Sequence, residues 1–127
     1  MKKNKEKVKE YIEKVIEEIV SITPVIQIYA IKFEEERENE KGGEFAVAYN
    51  PNEFYAEFFI YKKVFEQVPK EGLTKGFRDY IKLGLAHEVG HCYLWELEGT
   101  KRDIEKVATL IGFLIAQILD YKEETKK

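Results

Sequence analysis

The only two histidines of this 127-residue chain stand four residues apart, in Leu85-Ala-His-Glu-Val-Gly-His-Cys-Tyr-Leu94. Positions i and i+4 of a helix share one face a turn apart, so His87 and His91 can reach a single ion. Glu88 follows the first histidine and points slightly aside, where it can hold a water rather than the metal. Two imidazoles on zinc, with an adjacent carboxylate as general base, make a zinc-hydrolase arrangement. The context favours a helix: residues 80–95 contain no Pro, and Ile81, Leu85, Val89 and Tyr93 recur every four positions. That row is expected to face the core on a different side from the histidines. Packed core histidines are the plain alternative. Two of them at ligand spacing, with the glutamate in place, weigh for the metal.

A catalytic zinc takes three protein ligands and keeps one position for water. With no third histidine, the remaining ligand must be a carboxylate or Cys92. Cys92 comes one residue after His91, about 100° round the helix, and reads as a small buried residue. Glu96 and Glu98, on or just past the same helix, cannot fold back over the ion. The last helix must therefore supply the ligand. Ala108, Gly112 and Ala116 form a strip of small residues at intervals of four, and the metal helix carries Gly84 and Gly90. A mid-helix Gly costs about 1 kcal/mol against Ala, so close approach of two helices is a plausible compensation. Glu105 stands on that side and is the expected third ligand. Asp103, rotated about 200° from it, is second. Either acid would also suit the positive end of a helix dipole.

The elements that must position these groups are readable in outline. Residues 4–20, within an N-terminal region 1–20, form an amphipathic pattern ended by Thr23-Pro24. A sheet region over 24–66 holds strands at Val25–Phe33, Glu44–Tyr49 and Ala56–Tyr61, the last continuing into a short helical turn. Between the first two lies a charged loop, Glu34 to Glu40, with a Gly42-Gly43 turn. The metal helix is expected at 77–95. A break at Leu97-Glu-Gly-Thr100 precedes a last helix over 101–121, with Thr100 and Asp103 at capping-box spacing and a solvated tail at 122–127. Helix, three strands in a small mixed sheet, helix, helix is an α+β order, and the length suits one domain over 1–127.

Charged residues make up 35% of the chain, mostly Lys and Glu, a profile common in hyperthermophile proteins, where ion-pair networks gain value. The net charge of −3 and the lack of a basic stripe argue against nucleic acid as a partner. A single Cys excludes an internal disulfide. The N-terminus lacks a signal-peptide stretch, and the run Val107–Leu119 is too short for a membrane span. A cytoplasmic location is expected.

Two histidines, the adjacent Glu88 and a glutamate on the following helix resemble the gluzincin metallopeptidases. Glu105-Lys-Val-Ala108 is similar to their E-x-x-A glutamate-helix motif. Phe58–Glu66 followed by Leu85–His91 resembles the strand-and-helix arrangement of soluble minimal members, the minigluzincins, and Glu44–Ala48 takes the place of their cleft-rim strand. The resemblance implies a minimal zincin fold, one catalytic Zn2+, and hydrolysis of peptide bonds with Glu88 as base. It also implies a latent zymogen in which a terminal segment, 1–20 or 121–127, covers the cleft. Related enzymes commonly have Asp four residues after the ligand glutamate, orienting a histidine; here Thr109 stands there, and a hydroxyl accepts that bond more weakly. A peptide would lie extended along a rim strand, with 44–49 the first choice and 54–61 the second. Tyr93 and Tyr121 are conceivable for oxyanion stabilisation. Two other functions fit the same residues: a zinc-holding regulatory or interaction protein without turnover, and a hydrolase of non-peptide amides.

Overall fold

The computed structural model describes residues 2–34, 44–95 and 101–125. Its elements are α1 (Lys2–Ile22), β1 (Ile28–Glu34), β2 (Phe45–Asn50), β3 (Tyr55–Tyr61), α2 (Lys62–Glu66), α3 (Lys75–Tyr93) and α4 (Lys101–Thr125). The fold is α+β, with a three-stranded mixed sheet, as expected. Glu96, Glu98, the break at 97–100 with its Thr100 cap, the Gly42-Gly43 turn, the charged loop beyond Glu34 and the last two tail residues lie outside the described residues.

The sheet order is β1-β3-β2, with β1 parallel and β2 antiparallel to the central β3. β1 starts three residues later than its composition suggests, because Ile28 is level with Tyr55, where its partner begins. Side chains alternate across the sheet: Ala56, Phe58 and Ile60 of β3 and Phe45 and Tyr49 of β2 are buried on one face. On that side α1 contributes Val8, Ile12, Val15, Ile16 and Ile19, and α3 contributes Ile81, Leu85 and Val89, to a common core.

The expected core row of α3 loses its last member, since Tyr93 is 39% exposed. Steps of four overshoot a helical turn by about 40°, so three steps carry a row roughly 120° round the axis. Cys92 and Leu94 take the buried places at that end. Helix α3 opens at Thr74, whose side chain accepts a bond from the Phe77 amide at 3.2 Å. Helix α4 runs four residues past the expected end. Its last turns are held to α3 by Lys82, whose Nζ lies 2.7 Å from Asp120 and 3.9 Å from Glu123.

Candidate metal centre

Two close contacts set the position of α4 on α3. A Cβ added at Gly90 would stand 2.5 Å from the Ala108 carbonyl oxygen, and one at Gly112 would stand 3.0 Å from the His87 amide nitrogen. At these two points backbone rests against backbone, which only glycine permits. Gly84, by contrast, faces the sheet: a Cβ there would meet the Phe45 ring at 2.5 Å. The small residues of α3 therefore serve two neighbours, Gly90 admitting α4 and Gly84 admitting β2.

With α4 held so close, Glu105 reaches over both histidines. Its Oε2 is 3.1 Å from His87 Nε2 and its Oε1 is 3.0 Å from His91 Nε2. The two Nε2 atoms are 3.2 Å apart. Behind the His87 ring, Thr109 Oγ1 lies 3.1 Å from His87 Nδ1 and donates to the Glu105 carbonyl at 3.0 Å. Because the hydroxyl proton is engaged with that carbonyl, the oxygen accepts from Nδ1–H, which assigns the His87 tautomer from the hydrogen-bond network. His87 Nε2 then presents a lone pair. Burial lowers the His91 pKa, and His87 lowers it further, against an opposing pull from Glu105, so this ring is neutral at pH 7.

Two imidazole nitrogens and a carboxylate thus converge on one point, a donor set that a cation would draw together. A tetrahedral zinc with bonds of about 2.0–2.1 Å separates its ligand atoms by about 3.3 Å, close to the spacing found here. The donor set fits zinc, and the site is reachable: the side chains of His87 and His91 keep 24% and 21% of their surface.

The other sequence candidates fall away from this point. Asp103 is exposed, on the far side of α4 from Glu105. Cys92 is buried with Sγ toward the Glu88 carbonyl, and burial, reinforced by the charge of Glu88, pushes its thiol up to about 12. Tyr93 is rotated about 120–160° from the two histidines, and Tyr121 lies about 24 Å along α4 from Glu105 on the opposite face. Neither tyrosine reaches the triad. Glu88 lies on α3 between the two histidines, one turn after Gly84, the residue that meets Phe45 of β2.

Comparison with protein-family models, curated proteins and solved structures finds no match for this chain.

The bond from His87 to Thr109 has a measurable consequence. Thr109→Val keeps the shape but strands Nδ1–H, and zinc affinity is expected to fall about tenfold or more. Chelator competition on wild type and variant checks this; equal affinities would show the hydroxyl to be dispensable.

Proposed function

We propose that this chain is a zinc-dependent metallopeptidase of the gluzincin type, with His87, His91 and Glu105 as ligands and Glu88 as general base. The convergence of two Nε2 atoms and one carboxylate within 3.0–3.2 Å carries the reading. The resemblance to minigluzincins supports it. Zinc bound there would polarise the scissile carbonyl and acidify the attacking water. Glu88 would be the general base, taking the proton of the attacking water and returning it to the departing amine. Thr109 keeps His87 in the ligating tautomer.

The substrate strand has a suitable neighbour in β2, an edge of the sheet. Tyr61 N–H donates to the Glu44 carbonyl, so the alternation of an antiparallel ladder turns Ala46 and Ala48 toward β3 and the main chain of Phe45 and Val47 outward. An extended peptide can add there through main-chain bonds. The second choice of rim, 54–61, is the central strand and is paired on both sides. Among the described residues no helix is long and apolar enough to cross a membrane.

Metal analysis with a casein-type assay on wild type and Glu88→Gln tests the proposal. Zinc in both with turnover in wild type alone supports it. Zinc without turnover favours a zinc-holding interaction protein, the reading that the distance of Tyr93 and Tyr121 from the triad speaks for. No zinc uptake on titration sinks both.

Latency would need a removable segment over the cleft. Helix α1 is poorly suited to that role, because its apolar face is part of the core. The turn at 121–125 belongs to α4 and lies roughly 24–30 Å along the axis from Glu105. Removing residues 122–127 is expected to leave turnover unchanged, whereas removing 1–22 is expected to abolish cooperative unfolding. Activation by either truncation, read in the same assay, would reverse this view.

A further inference from the structure

Helix α4 is apolar on two opposite sides. Ala108, Gly112, Ala116 and Leu119 turn inward, toward α3 and the core. On the other side Val107, Leu110, Leu114, Ile118 and Tyr121 follow one another at helical spacing, and Phe113 flanks them. These six side chains are 42% to 68% exposed. An apolar stripe of this width on a helix ordinarily faces another packed element.

We propose that this outer face pairs with the same face of a second copy of the chain, antiparallel and two-fold symmetric. Half-exposed side chains of this size offer on the order of 500–600 Å² per copy, so pairing removes roughly 1,000–1,200 Å² from water, the scale that a specific interface requires. The row is self-complementary about Leu114. With Leu114 on the two-fold axis, Leu110 of one copy meets Ile118 of the other, and Val107 meets Tyr121. In that register Lys106 of each copy comes beside Glu124 of its partner on the same flank, giving two cross-helix ion pairs.

Charges of both signs beside the row favour a protein partner over an anionic lipid surface, which selects Lys- and Arg-rich flanks. Leu114 is nine residues from Glu105, about 180° round the helix. Pairing therefore turns both triads outward and leaves them open, so the inference stands independently of the proposed function.

Sedimentation equilibrium of the full chain, up to hundreds of micromolar, tests it. Wild type is expected to sediment at twice the 15.0 kDa chain mass. Leu114→Arg, at a surface position that leaves the circular dichroism spectrum unchanged, is expected to weaken the dimer about thirtyfold or more. Lys106→Glu should weaken it a few-fold, and Lys106→Glu with Glu124→Lys should restore it. Wild type that stays monomeric throughout, or a dimer indifferent to Leu114→Arg, overturns the proposal. A monomer that floats with phosphatidylglycerol–phosphatidylcholine vesicles also overturns it and assigns the face to lipid. Disruption by Leu114→Arg without rescue by the charge swap overturns the antiparallel register.

Discussion

Glu88→Gln is expected to lower peptide hydrolysis about 10²- to 10⁴-fold while zinc content stays at the wild-type level. The amide has nearly the shape of the carboxylate but cannot take a proton from water. Glu88 is not one of the three converging groups, which are His87, His91 and Glu105. If these three hold zinc as proposed, its loss should leave metal binding intact and remove the proton transfer alone. His91→Ala makes the contrast, since it deletes one of three ligands and should lose metal and turnover together. Metal analysis beside initial rates separates the two patterns. A Glu88→Gln protein that keeps wild-type rates would remove the glutamate from the mechanism.

Gly90→Ala is expected to reduce both stability and metal affinity. On an isolated helix this substitution stabilises by about 1 kcal/mol, through propensity alone. Here the new methyl would stand 2.5 Å from the Ala108 carbonyl oxygen, 3.0 Å from its Cα and 3.1 Å from its carbonyl carbon. These are backbone atoms of a helix and cannot rotate away, so α4 must move. Overpacking of this kind costs about 1–3 kcal/mol or more, which exceeds the propensity gain. Glu105 moves with α4, and zinc affinity is expected to fall about tenfold or more when the support of a ligand shifts. Gly76→Ala is the control: nothing lies within 4 Å of its added Cβ, so it should be neutral or slightly stabilising. Thermal melts and chelator competition read both variants. If Gly90→Ala raised Tm as Gly76→Ala does, the close approach of the helices would be refuted.

The residues that carry these expectations differ in how legible they were. The small strip Ala108, Gly112, Ala116 marked α4 as a close neighbour of α3, and the expectation that Glu105 would meet the two histidines rested on it. The partner of Gly84 was not legible, because a glycine shows that something comes close without showing what. Phe45 fills that place from a strand 39 positions earlier in the chain. The outer row of α4 was visible as an apolar run, yet periodicity does not tell a covered face from an uncovered one. Tyr93 was misplaced because a four-residue row was followed past the point where the helix turns it out of the core.

By itself the sequence determined what local geometry dictates: the elements, the α+β order, and the sharing of one face by His87 and His91. A turn of helix brings positions i and i+4 together whatever surrounds it. Tertiary structure decided the rest. Glu105 lies 18 residues from His87, and Thr109 lies 22 residues from it. Both meet its ring because Gly90 and Gly112 let two backbones touch at that crossing. The place of β2 at the sheet edge, against Gly84, was likewise a matter of strand order. Distances between elements are set by the volume of the side chains between them, and that volume is known only once the elements have packed.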